Sequence, residues 1–310
     1  MALEFGWVLQ PTSRTPANTA TMLDDNRHIL GLLRPPFTTF WVEDHFQWDD
    51  LPTLEAWTAM AYHAAEFPHL RVGSLTLGQS YRNPALTAKM AAMLQAHSGG
   101  RLILGIGAGW KEDEYSAYGY PYPTPGVRLA QLREAVAIMR LMWRDSPATY
   151  RGEHYQIDGA YCAPRHPTPP PILIGGGGER VTLRIAAEVA DWWNIGFVPP
   201  ETYAAKVALL HRHCAAVGRD PEAIALSYYA HIAIGRDAAA IERVDPVRPN
   251  IHRIAGTPAE VAAQLDRFAA LGVRHVMLKF ADYPSPDQYE LFMAEVVPRL
   301  IGGRSALPLR

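Results

Sequence analysis

From one end of the chain to the other, short apolar runs alternate with longer stretches whose apolar positions recur every three or four residues. The short runs read as strands buried on both faces, and the longer stretches as amphipathic helices. Strict alternation of the two predicts βα units winding a parallel sheet. The strand candidates are Glu4 to Leu9, Thr38 to Glu43, Arg71 to Leu77, Leu102 to Ile106, Pro171 to Ile174, Trp192 to Gly196, Ala225 to Ile234 and His275 to Phe280. Eight parallel strands predict an α/β fold of the (β/α)8 TIM-barrel type, whose active site sits at the C-terminal ends of the strands.

The helices carry their own start and stop chemistry. Asn83 and Pro84 offer an N-cap and a first-turn proline for a helix over Ala85 to Gln95, and Gly99 with Gly100 supplies its left-handed stop. Leu129, Leu132, Val136, Met139 and Trp143 form one apolar stripe that must face the barrel wall. Thr257, Pro258 and Glu260 spell a capping box ahead of the run Val261 to Ala270.

Two stretches break the alternation. The Tyr-, Gly- and Pro-rich segment at about 145–170 is too long for an ordinary connection, and Tyr150, Tyr155 and Ile157 predict a β-hairpin inserted over the barrel mouth. The region at about 237–255, with Pro246, Pro249 and Asn250, reads as an irregular loop. No repeat or linker divides the rest, so residues 1–310 are expected to form one barrel domain with these insertions.

Composition narrows the function. The 29 basic and 31 acidic residues leave a net charge of -2, and no long apolar run is present, which argues against nucleic-acid and membrane partners. Two cysteines, Cys162 and Cys214, allow at most one bridge, and the N-terminus lacks a signal-peptide pattern, so the chain reads as cytoplasmic and reduced.

Three motifs carry candidate chemistry. Gly175, Gly176, Gly177 and Gly178 lie between a strand and the helical run Glu179 to Ala190, where amides at a helix N-terminus suit a phosphate, with Arg180 adding a charge. A tight strand-to-helix turn is the plainer alternative, but it needs fewer glycines. The run Leu104 to Trp110 resembles a dinucleotide fingerprint only superficially, because Trp110 stands where the third glycine belongs. Gly107, Ala108 and Gly109 instead leave room for a flat ligand at the mouth, or simply mark close packing of a strand end. His45, in the sequence Glu43-Asp44-His45-Phe46-Gln47-Trp48, is placed for acid/base work, for bonding to a cofactor ring, or for capping a loop. Of Glu112, Asp113 and Glu114, at least two read as a solvated helix start. His211, His213 and Cys214 fit a helix C-terminus without a metal, and no zinc-protease or nucleophile-elbow motif occurs.

The stretches SYRNPALTAKMAAMLQAHSGGRLILGIGAGWKEDEYSAYGYPYP and PPPILIGGGGERVTLRIAAEVADWWNIG, together with VEDHF and GTPAEVAAQLDRFAALGVRHVMLKF, closely resemble the luciferase-like monooxygenase superfamily. Within it they look most like the subgroup that uses the deazaflavin coenzyme F420. The resemblance implies a bacterial-luciferase-like barrel with a flavin-type cofactor in a cleft at the mouth. It carries ring contacts onto His45 and onto Ser74 and Leu75, and phosphate contacts onto Gly176, Gly177 and Gly178. It also implies a non-proline cis peptide in a bulge of the third strand, which an ungapped count maps to Ser74-Leu75. Sugar-phosphate dehydrogenases of the subgroup carry a proton-donating carboxylate where this chain has Trp110, which leaves Glu112 or Glu114 as candidates to reach the site and favours an apolar or planar substrate.

The implied activity is hydride transfer between F420 and a small organic substrate, with His45 as a catalytic candidate and Glu114 as a second. The polyglutamate tail of F420 would then require a basic patch such as Arg82, Lys111 and Arg180. One alternative is an FMN-dependent two-component monooxygenase that uses O2 and receives reduced cofactor from a separate reductase. Another is a flavin-binding barrel without turnover. Family members are commonly homodimers.

Overall fold

Apolar runs with no polar face can bury themselves only inside a sheet covered on both sides, and the computed structural model shows that arrangement. It describes residues 3–10, 12, 21–244 and 251–302. The first half comprises β1 (Glu4–Val8), α1 (Met22–Leu32), β2 (Phe37–Val42), α2 (Ala56–Glu66), β3 (Arg71–Ser74), β4 (Leu77–Gly78), α3 (Pro84–His97), β5 (Leu102–Gly107), α4 (Glu112–Ala117) and α5 (Pro125–Arg144). The second comprises β6 (Ala148–Arg151), β7 (Gln156–Ala160), β8 (Ile172–Gly175), α6 (Thr182–Val189), β9 (Trp192–Gly196), α7 (Pro200–Ala216), β10 (Ala225–Ile234), α8 (Ala238–Val244), β11 (Ile254–Gly256), α9 (Pro258–Ala270), β12 (His275–Phe280) and a helical C-terminal segment. Strands β1, β2, β3, β5, β8, β9, β10 and β12 pair in that order, all parallel, and β12 returns to β1 through Glu4 opposite His275. The barrel is therefore closed, as the alternation predicts.

Inside the barrel, Trp41 fills the space that two glycines leave open. A Cβ on Gly6 or Gly73, on the strands flanking β2, would lie 2.2 Å from the indole. The Trp41 indole N–H donates to His275 Nε2 at 3.0 Å. Burial pushes the His275 pKa below its ordinary value, so the ring stays neutral and accepts that bond.

Between β3 and β5 the backbones approach more closely still. Ser74 Oγ donates to the Gly105 carbonyl at 2.8 Å and accepts from its amide at 2.9 Å. A Cβ on Gly105 would sit 1.9 Å from the Ser74 carbonyl oxygen, which is backbone and cannot swing away. Gly105→Ala is accordingly expected to destabilise the barrel by about 3 kcal/mol. Denaturant unfolding checks this, and a loss below about 1 kcal/mol, the range of well-tolerated core swaps, would show that the two strands can part.

The helix signals hold. Asn83 accepts from the Ala85 amide at 2.9 Å, Gly99 and Gly100 have φ of 66° and 87°, and the Thr257–Glu260 capping box forms. Four of the five stripe residues on α5, all but Leu129, are buried.

Four expectations require correction. The third strand does not run unbroken to Leu77: it ends at Ser74 and resumes in β4. The non-proline cis bond is Leu75-Thr76, one residue beyond Ser74-Leu75, because the Leu75 amide still donates to the Val42 carbonyl in the sheet ladder. The hairpin β6–β7 forms, but it lies against α3 and α5 rather than over the mouth. Glu134 of α5 accepts the amides of Glu153, His154 and Tyr155 at 2.9 to 3.0 Å, and no residue of 145–170 lines the central cavity. Finally, the region at 237–255 contains the helix α8 and the start of β11; Pro246, Pro249 and Asn250 lie outside the described residues.

Candidate active site

Past the end of β2, Glu43, Asp44 and His45 turn to three different partners. Asp44 is buried and takes Arg82 in a two-pronged pair at 2.9 and 3.0 Å, and it also accepts the Gly78 amide at 2.9 Å. Arg82 continues to Glu55 at 2.5 Å. Burial opposes the Arg82 charge, but Asp44 and Glu55 more than offset it and hold the guanidinium above its ordinary pKa. These residues brace the mouth.

His45 faces a cavity of about 1040 Å³ at the C-terminal end of the barrel. Trp48, Leu75, Thr76, Gly109, Trp110 and Phe197 also line it. Trp48 and Trp110 meet the His45 ring edge-on at 5.2 and 5.7 Å. Behind the ring stands Glu114, which is fully buried. Its carboxylate lies 3.2 Å from His45 Nδ1 and accepts the amides of Phe46 and Gln47 at 3.0 and 3.2 Å and the Tyr81 hydroxyl at 2.9 Å. Burial alone would raise the Glu114 pKa, but His45 and these donors carry it below the usual carboxylate value. The same burial, together with Glu114, raises the Tyr81 pKa. With Nδ1 committed to Glu114, Nε2 is the His45 nitrogen left for a ligand.

The other sequence candidates scatter around this centre. Leu75 and Gly109 line the cavity, and Gly109 has φ of 78° with Tyr115 packed where its Cβ would be. Ser74 does not face it, since its hydroxyl is spent on Gly105. Gly107 and Gly175 meet behind Thr76: a Cβ on either would come within 2.8 Å of the Thr76 side chain. Ala108 does not line the cavity, nor do Gly176, Gly177, Gly178 and Arg180. Glu112 and Asp113 are exposed, as a solvated helix start requires.

The helix after the glycines begins at Thr182, not Glu179, so the glycine amides precede rather than cap its first turn. Gly176, at φ of 113°, donates to Asn194, whereas the amides of Gly177 and Gly178 meet no backbone acceptor among the described residues. Two free amides on a loop fit an anion. The basic patch expected of Arg82, Lys111 and Arg180 is not assembled, because Arg82 is spent on Asp44 and Glu55 and Lys111 pairs with Asp113. A lysine of α7, Lys206, also stands beside the loop, its Cε 3.7 Å from a Cβ at Gly177, but its ammonium pairs with Glu179 at 2.8 Å. Sequence reading missed Lys206, which carries no local motif, and it missed Tyr229 and Lys279, which reach Glu43 across the barrel.

Taken together, the geometry defines a (β/α)8 barrel with a ligand cavity, a clamped histidine and an aromatic rim at its C-terminal face. The chain belongs to the luciferase-like monooxygenase family, whose model matches residues 3–251. It is 35% identical over 148 residues to an F420-dependent glucose-6-phosphate dehydrogenase of Kineococcus radiotolerans, covering 46% of this chain and 43% of the relative. The chain thus spans less than half the length of that curated relative. It is 26% identical to a pyrimidine monooxygenase of Stutzerimonas stutzeri, over 83% of this chain and 81% of the relative. Among solved structures, an F420-dependent secondary alcohol dehydrogenase in complex with an F420-acetone adduct shares the fold, with a TM-score of 0.83, 20% identity, and 97% and 99% of the two chains covered.

Proposed function

We propose that the protein is an F420-dependent oxidoreductase that moves a hydride between the deazaflavin and a small organic substrate. The observation that carries the reading is the His45–Glu114 clamp beside a cavity bordered by Gly78, Gly109 and the Leu75-Thr76 segment. The cavity's volume is at the upper end of ordinary cofactor sites, and its aromatic lining of Trp48, Trp110 and Phe197 suits a planar heteroaromatic ring. The free Gly177 and Gly178 amides fit the phosphate of such a cofactor. Relatives named as F420-dependent support the choice of deazaflavin.

When bound, the deazaflavin supplies the ring carbon that gives or takes the hydride. The chain's own residues do the rest. Glu114 fixes the orientation of His45, so that Nε2 can hold or accept a proton at the substrate or ring edge. Trp48 and Trp110 flank the ring edge-on and give the substrate an apolar rim beside that nitrogen. Tyr62, Leu86 and Met93, exposed on α2 and α3, support a homodimer through these helices.

A second reading, an FMN-dependent monooxygenase supplied by a separate reductase, is favoured by the near-full-length match to the pyrimidine monooxygenase. Parallel titration of the purified protein with F420 and with FMN, followed by fluorescence and co-elution in gel filtration, separates the two. Tight binding of F420 alone is expected. Selective binding of FMN, oxidised or reduced, would replace the first reading by the second.

A further inference from the structure

The wall facing the Leu75-Thr76 segment carries a charged cluster that the proposed hydride chemistry does not use. In the order of the closed barrel, β10 and β12 stand opposite β3 and β5. From them Tyr229 and Lys279 reach Glu43: the Tyr229 hydroxyl donates to Oε1 at 3.0 Å, and the Lys279 ammonium donates to Oε2. All three residues line the cavity, and the side chains of Glu43 and Lys279 are only 17% and 18% exposed.

Stability is a poor reason for such a pair, since desolvating two charges in a largely enclosed site offsets most of their attraction. Its chemistry is more informative. Both carboxylate oxygens are occupied, while the ammonium has three protons and gives one of them to Glu43. The pair is neutral as a unit. The cavity's other lysine, Lys111, is likewise matched by Asp113. Neither lysine therefore offers an uncompensated charge to a phosphate or a carboxylate. What remains is a strong hydrogen-bond donor beside the rings of Phe197 and Tyr229, which pack at 4.6 Å, with Trp48 and Trp110 on the His45 side.

We propose that Lys279, held by Glu43 and flanked by Tyr229, is an oxygen-recognising subsite for a neutral carbonyl or alcohol substrate whose apolar body packs on Phe197 and the two tryptophans. This names the substrate class of the same cavity and rests on the oxidoreductase reading for its catalytic meaning. The subsite itself is tested by binding alone.

Three probes of similar shape suffice: cyclohexanone, methylenecyclohexane and cyclohexanecarboxylate, titrated by calorimetry into the full-length protein without cofactor. The wild type is expected to prefer the ketone over the hydrocarbon by about tenfold, the worth of one charge-assisted hydrogen bond, and to bind the carboxylate more weakly than the ketone. Lys279→Met should erase the ketone preference and Lys279→Arg should keep it. Because Lys279→Met leaves Glu43 unpaired, the double variant Lys279→Met/Glu43→Gln is measured beside it, with thermal melting to show that both are folded. A ketone preference that survives in the folded double variant overturns the proposal, as does tighter binding of the carboxylate or no preference in the wild type. A wild type that shows no ketone preference yet binds F420 normally would remove the subsite alone. A retained preference in a protein that does not bind F420 would remove the cofactor reading alone.

Discussion

His45→Ala is expected to lower the rate at which bound F420 is reduced or reoxidised by about 10²- to 10³-fold, the usual worth of a positioned acid or base, with a smaller fall in melting temperature than Glu114→Gln. The stability loss is limited because the Phe46 and Gln47 amides and the Tyr81 hydroxyl still hold the buried Glu114 carboxylate. Glu114→Gln should act in the opposite proportion. It leaves His45 in place but removes the anion on which the imidazole and two backbone amides converge, at a cost of about 2 kcal/mol in stability. The sign with pH is fixed by the direction of the Glu114 shift. A carboxyl whose folded pKa is depressed contributes stability that is full above the unfolded value and is lost as pH falls through the folded one. Melting temperature followed from neutral to acid pH should therefore fall more steeply in the wild type than in Glu114→Gln, while His45→Ala keeps part of the steep limb through the Phe46 and Gln47 amides. Full activity in His45→Ala would remove the residue from the chemistry. Parallel pH profiles for the wild type and Glu114→Gln would remove the clamp.

Arg82→Met is expected to cost about 3 to 5 kcal/mol, since it strands the buried Asp44 carboxylate without its counter-charge. The loss should be concentrated at the mouth, because Asp44 also holds the Gly78 amide at the end of β4. Arg82→Lys should rescue only part of it, since a single ammonium cannot reproduce the two parallel bonds to Asp44. Denaturant unfolding of the two variants measures both effects. A loss below about 1 kcal/mol in Arg82→Met would place the pair in the class of exposed ion pairs and leave the mouth braced by other contacts.

Arg82 also illustrates how far the sequence can be read. In the motif Ser80-Tyr81-Arg82-Asn83-Pro84 it reads as a free cation for an anionic cofactor tail. In the fold it is consumed by a carboxylate that lies 38 residues earlier in the chain. Glu114 shows the same limit, because nothing in Glu112-Asp113-Glu114 distinguishes the one carboxylate that α4 turns inward from the two it leaves in solvent.

What the sequence determined by itself is what local physics encodes. Apolar runs without a polar face require a doubly covered parallel sheet, and their number predicts closure. Asn83, Gly99, Gly100 and the Thr257–Glu260 box set helix ends through bonds that span only a few residues. His45 is legible because the end of a barrel strand is a place the fold itself marks. Only the tertiary structure decided which charges are spent and which are free. The Glu43–Lys279–Tyr229 cluster joins residues 186 and 236 positions apart along the chain. Such partners are set by barrel register and closure, and neither leaves a trace in spacing or composition.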